Sequence, residues 1–174
     1  MRESKKRMQI FTFGHSTRSW DEFLEILKSF NIELIVDVRR FPSSKKFPWF
    51  NKENLEKKLK REKIEYIHFP ELGGYRKEGY EAFSKSKDFK DAIKKLLKKI
   101  GKKRVVILCS EFKWWKCHRR YIADYLAKMG YEIIHILTKD KIQEHKNSKE
   151  IMEKMKAKIR CDKKTIKSIE KGIA

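Results

Sequence analysis

The chain has 174 residues, 40% of them apolar, which is enough for one domain with a sizeable core. Lys and Arg number 45 against 24 acids, a net charge of +21; an excess of one sign is costly in self-repulsion and suits a polyanionic partner. No apolar run is long enough for a membrane span, the basic stretch Met1 to Arg7 lacks the apolar region of a secretory signal, and three cysteines make no even disulfide set, so a cytoplasmic, reducing location without membrane contact is expected.

In chain order, Gln9 to Phe13 reads as a strand that runs into Gly14-His15-Ser16-Thr17-Arg18. Ser19 with Glu22 three residues on forms a capping box, and Phe23, Leu24, Leu27 and Phe30 give the helix its apolar face. Glu33 to Val38 is a second strand, ending at Asp37-Val38-Arg39-Arg40 and stopped by Phe41-Pro42. Ser43 to Phe50 is a loop, and Asn51 can cap a helix to about Glu62 with Leu55 and Leu59 inward. A third strand, Glu65 to Phe69, ends at Pro70, and Gly73-Gly74 permits a tight turn before Tyr75-Arg76. Tyr80 to Ser84 reads as a short helical turn and Asp88 to Lys99 as a helix closed by Gly101. Arg104 to Leu108 is strand four, Tyr121 to Met129 a helix ended by Gly130, and Glu132 to Leu137 strand five. From Lys139 the chain turns lysine-rich, with a helix expected over Ile142 to Ala157.

This alternation implies a three-layer α/β domain: a mostly parallel sheet of about five strands with helices on both faces. The expected division is a basic extension at 1–8, the α/β domain at 9–138 and a lysine-rich helical tail at 139–174. Right-handed crossovers bring the loops after strands one to four to one sheet edge, where open α/β sheets bind ligands.

Those loops carry the unusual chemistry. Cys109-Ser110-Glu111-Phe112-Lys113-Trp114-Trp115-Lys116-Cys117-His118-Arg119-Arg120 joins strand four to its helix with two thiols, a carboxylate, an imidazole and two guanidiniums. Glu111 and Asp37 are candidate catalytic carboxylates, able to orient water or stabilise a cationic transition state; structural pairing of Asp37 with an arginine is the alternative. His15 can act as a general acid, or hold its turn by hydrogen bonds. Cys117, at a helix start, is a candidate nucleophile with His118 or His15 as base. Arg18, Arg39, Arg76 and Arg119 follow different strands, and arginine suits bidentate capture of phosphate. His118 joins them as a phosphate contact, and Trp49, Trp114 and Trp115 are candidate stacking platforms for bases. The spacing of Cys109, Cys117 and His118 matches no standard zinc motif, so no metal is expected. No glycine-rich phosphate loop occurs, so neither ATP nor NAD is expected, nor any other cofactor.

The blocks Phe13-Gly14-His15-Ser16-Thr17-Arg18, Asp37-Val38-Arg39-Arg40-Phe41-Pro42, Pro70-Glu71-Leu72-Gly73-Gly74, and Cys109-Ser110-Glu111 with Cys117-His118-Arg119 are similar to the signature blocks of the domain-of-unknown-function family DUF488. The resemblance runs in order from Phe11 to about Leu137. It implies a compact three-layer α/β domain and leaves the activity open. Trp114-Trp115 and the lysine-rich tail lie outside the recognised pattern.

From the residues, the expected partner is nucleic acid, DNA before RNA, or else a phosphorylated small molecule. The expected function is an enzyme acting on nucleic acid, most concretely a hydrolase of the N-glycosidic bond in which Glu111 or Asp37 serves the reacting sugar and a tryptophan stacks on an extruded base. The alternatives are a small-molecule enzyme using Glu111 or Cys117 on a nucleotide, and a nucleic-acid-binding module without catalysis.

Overall fold

The computed structural model describes residues 7–146. Six strands form one sheet: β1 (Gln9–Gly14), β2 (Leu34–Asp37), β3 (Glu65–His68), β4 (Val105–Cys109), β5 (Glu132–Thr138) and β6 (Lys141–Glu144). Their order is β3-β2-β4-β1-β5-β6, parallel throughout except for β6. Five longer helices pack on it: α1 (Trp20–Ser29), α2 (Lys52–Arg61), α3 (Tyr80–Ser84), α4 (Lys87–Ile100) and α5 (Arg119–Lys128). The architecture is three-layer α/β, as the sequence pattern implies.

Period-two patterning in the strands builds the two cores. Ile10, Leu34, Val36, Val105 and Ile107 point to one face, against Phe83 of α3, Phe89, Ile93 and Leu96 of α4, and Ile122 and Leu126 of α5. Phe11, Phe13, Ile35, Val106 and Leu108 point to the other, against Phe23 and Leu27 of α1 and Leu55 and Leu59 of α2. The central strands are covered on both sides, hence their unbroken apolar runs.

Local signals set the helix ends. Ser19 Oγ accepts the Glu22 amide at 3.2 Å, and Ser86 Oγ accepts that of Phe89 at 3.2 Å. Asn51 precedes α2, but its side chain accepts from the Ser44 amide at 2.5 Å and so braces the preceding loop. No helix among the described residues is long and apolar enough to cross a membrane.

The tail departs from expectation. Residues 141–144 form an antiparallel strand, not the start of a helix at Ile142. The Asp140 amide donates to Thr138 Oγ1 at 3.3 Å in the tight turn after β5, which sends the chain back along the open edge of that strand. Trp114 Nε1 donates to Gln143 Oε1 at 3.1 Å, and the His145 amide donates to the Ile133 carbonyl at 2.9 Å, fixing the return. The remainder of the expected helix, to Ala157, lies outside the described residues.

Candidate active site

All of β1 to β4 run parallel, so their carboxyl ends share one edge. The chain leaves β1 and β2 toward the face of α1 and α2, and leaves β4 toward the face of α5. Neighbouring strands whose exits part in this way open a crevice between them. A cleft of about 1030 Å³ lies there, lined by loop residues that include His15, Arg39, Arg76, Glu111, Cys117 and His118.

The floor of the cleft is pinned by backbone. The His15 amide donates to the Cys109 carbonyl and the Ser16 amide to the Ser110 carbonyl, each at 2.9 Å, extending the β1–β4 ladder beyond both strands. A Cβ at position 14 would lie 1.9 Å from the Glu111 carbonyl oxygen, so glycine is required for the two loops to touch. Ser16 and Tyr75, both lining the cleft, hold left-handed backbone at φ 51° and 58°. Non-glycine residues there store strain of about 1–3 kcal/mol each, a pattern common in binding loops.

Burial sorts the expected catalytic groups. Asp37 is fully buried and is not among the residues that line the cleft, so the structure does not bring it together with Glu111 there. Its Oδ1 accepts from Arg39 Nε at 2.9 Å and its Oδ2 from Arg39 Nη2 at 2.7 Å and from the Tyr66 hydroxyl at 2.5 Å. Burial would lower the Arg39 pKa, but the hydrogen bonds and charge of Asp37 raise it instead. Arg39 also donates to the Phe50 carbonyl at 2.8 Å and to His15 Nε2 at 3.3 Å. His15 gives its Nδ1 proton to the Ser16 carbonyl at 2.9 Å and stacks on Phe50. Burial, reinforced by the Arg39 charge, lowers its pKa to about 4, so at neutral pH the ring is uncharged and braces the turn at the cleft wall.

Two expected phosphate ligands lie away from the cleft with their donors turned to the protein interior. Arg18 is buried and donates to the Gly14 and Leu137 carbonyls, and Arg119 is buried and donates to the Glu111 carbonyl at 2.5 Å and Thr12 Oγ1 at 3.5 Å. Neither lines the cleft. Arg76 does, with its guanidinium over Phe83 and donating to the Gly73 and Glu71 carbonyls at 3.2 and 2.6 Å. Arg40 and Lys116 complete the rim; adjacency to Arg39 in the second block was the only sequence signal for Arg40.

The tryptophans also lie off the cleft. Trp114 is fully buried and stacks on His135 at 4.0 Å, Trp115 packs edge-on against Trp114, and Trp49 Nε1 donates to the Arg18 carbonyl at 3.0 Å. Of the aromatic residues that line the cleft, which also include Phe47, Tyr80 and Phe112, Phe41 and Tyr75 are the most open, 69% and 84% exposed, with rings 6.3 Å apart.

Glu111, Cys117 and His118 do meet in the cleft. Glu111 is exposed, and its carboxylate accepts the Lys113 amide at 3.1 Å. His118 Nε2 donates to the Val38 carbonyl at 3.0 Å, and its Nδ1 stands 3.7 Å from Cys117 Sγ and 4.0 Å from Cys109 Sγ. Cys109 is buried at the end of β4 and also lines the cleft. The neighbouring Cys117 thiol and burial push the Cys109 thiol up, while the neighbouring Cys109 and His118 hold that of Cys117 down.

Residues 19–126 match the family model described as domain of unknown function DUF488. The chain belongs to the DUF488 family. The matched span holds the second, third and fourth sequence blocks; the block at 13–18 precedes it. No curated protein and no solved structure matches the chain. Within the DUF488 span, the loops after β2, β3 and β4 supply the rim cations Arg40, Arg76 and Lys116, and the end of β4 with the loop after it supplies the Cys109, Glu111, Cys117 and His118 group.

Proposed function

We propose that this DUF488 protein is an enzyme acting on a nucleotide unit of nucleic acid, DNA before RNA, held in the cleft at the carboxyl edge of the sheet. What carries the proposal is the meeting in one hollow of Glu111, Cys117 and His118 with Arg40, Arg76 and Lys116 on its rim. About 1030 Å³ is at the upper end for small-ligand pockets and suits one extruded nucleotide with a flanking phosphate. The net charge of +21 favours a polyanion over a neutral metabolite. Phe41 and Tyr75 offer faces on which a base can stack.

Hydrolysis of the N-glycosidic bond is the reaction that suits Glu111. Its carboxylate orients a water and its charge stabilises the sugar cation that forms as the base departs. With Asp37 tied to Arg39, Glu111 takes both duties. The test is a panel of single- and double-stranded DNA and RNA oligonucleotides with modified bases, scored for abasic sites. The wild-type chain should produce them, and Glu111→Gln should do so at least about 100-fold more slowly while still binding the oligonucleotide. An undiminished rate in Glu111→Gln sinks the glycosidic reaction, and binding without any product leaves a binding module.

A second reading is favoured by the thiol that faces the same hollow: Cys117 acting on a free nucleotide or phosphorylated small molecule, with His118 as its base. In that case a free nucleotide should raise the melting temperature, DNA affinity should collapse at physiological salt, and Cys117→Ser rather than Glu111→Gln should abolish turnover.

A further inference from the structure

The last residue of β4, the residue after the Trp114–Lys116 turn and the residue before α5 converge at the floor of the cleft. Cys109 Sγ, Cys117 Sγ and a ring nitrogen of His118 all lie within 4.8 Å of one another. We propose that these three side chains form a site for a soft divalent metal, zinc in the first instance, with its fourth coordination position open to the cleft.

The distances fit. Zn–S bonds of about 2.3 Å and Zn–N bonds of about 2.0–2.1 Å at tetrahedral angles call for S···N separations of about 3.6 Å. The observed Sγ–Nδ1 separations are 3.7 and 4.0 Å, within a few tenths of an ångström of that shape. Two thiolates and an imidazole select zinc over magnesium or calcium.

The surroundings fit as well. The Val38 carbonyl takes the Nε2 proton of His118 at 3.0 Å, which in the neutral ring leaves the Nδ1 lone pair aimed toward the sulfurs. A histidine ligand anchored through its second nitrogen is the usual outer arrangement of a metal site. A Cβ at position 74 would lie 3.3 Å from that same Nδ1, so Gly74 leaves room beside the donor atom. Arg119 sets its positive charge near both sulfurs, which offsets the charge of a dithiolate site. Two thiols held only as a redox pair would need none of this orientation of the imidazole.

Three protein ligands are the pattern of a catalytic rather than a structural zinc. All three line the hollow that holds Glu111, so a metal-bound water there would stand where the proposed hydrolase needs one. The metal site does not rest on that reaction.

The test uses the full chain, reduced and stripped with a chelator, then titrated with zinc or cobalt alone. One metal per chain should bind, raise the melting temperature, and give the cobalt form a thiolate charge-transfer band. Cys109→Ser, Cys117→Ser and His118→Asn should each weaken zinc binding at least tenfold, about the scale of losing a ligand or its anchor. Circular dichroism checks that each variant folds, and Gly74→Ala, which keeps every donor, should weaken zinc as well. Cys161→Ser should bind like the wild type. Failure of the reduced wild type to bind zinc, or binding that survives Cys109→Ser and vanishes in Cys161→Ser, overturns the proposal. Zinc bound without any abasic product would remove the glycosidic reaction and leave the metal site standing.

Discussion

Asp37 accepts from Arg39 Nε, Nη2 and backbone N–H and from the Tyr66 hydroxyl, and none of its surface meets water. Replacing it by Asn keeps the shape but leaves the Arg39 charge buried without its counterion. Breaking a buried pair from one side costs about 3–5 kcal/mol. Asp37→Asn should therefore lower the urea midpoint by a corresponding amount, and a shift under about 1 kcal/mol would show that the pair is dispensable. At the level of single residues the sequence was least legible. Asp37 and Glu111 both follow an apolar strand, and local pattern cannot separate them. Their fates part because Tyr66, on β3, reaches Asp37, whereas the exposed Glu111 carboxylate accepts the Lys113 amide of its own loop. Arg18 and Arg119 are similar: residue type suggested phosphate, but carbonyls of β1, β5 and the loop after β4 claim their donors.

At the scale of elements, the junction between β1 and β4 sets the geometry of the site. Gly14 stands where the two loops meet, and an added methyl would collide with the Glu111 carbonyl at 1.9 Å. Backbone cannot swing aside as a flexible side chain does, so Gly14→Ala should cost about 3 kcal/mol or more. It should also disturb the cleft residues Glu111 and Cys109 before the rest of the sheet, which hydrogen exchange at the His15 and Ser16 amides would reveal. Unchanged protection there would contradict the role given to this glycine. The five parallel strands were legible from their apolar runs, and the longer helices from their periodic apolar faces, two of which open on serine caps at Ser19 and Ser86. β6 was not, since four residues set in a lysine-rich stretch hold no periodicity of their own. Only the open edge of β5 calls them into a strand. Cys109, Cys117 and His118 were named from the sequence and set aside on their spacing; what the spacing could not show is that the looped-out turn at Trp114–Lys116 brings their donor atoms within 4.8 Å of one another.

For the whole molecule, topology was readable and electrostatics only in bulk. Parallel order brings the four loops to one edge, as strand–helix alternation implied. The +21 net charge makes acid conditions doubly unfavourable, because protonating carboxylates raises it further. Buried histidines add to this. His135 lies among Thr12, Trp114, Arg119 and His145, with Asp124 beyond His145. Burial, helped by the charges of His145 and Arg119, lowers its pKa to about 2. The unfolded chain takes up that proton near pH 6.5, so the folded state keeps its full margin above this and loses it as pH falls toward 2. Between pH 7 and pH 5 the loss from this one group is about 2 kcal/mol. Urea unfolding at the two pH values should show at least that decline. Added salt should restore the part due to self-repulsion and not the histidine part, and an acid-stable fold would contradict the assignment.

The seam at Gly14 has a consequence for how such a protein can diverge. Backbone hydrogen bonds from His15 and Ser16, together with the buried Arg18 and Arg119 side chains on loop carbonyls, hold the deep end of the crevice, whereas the Phe41 and Tyr75 rings at its lip stand largely in solvent. Descendants can therefore exchange lip side chains, and with them the molecules they admit, without loosening the base. A residue inserted between Cys109 and Glu111 would instead break the paired bonds of His15 and Ser16 to Cys109 and Ser110 and slide the carboxylate out of register with its neighbours.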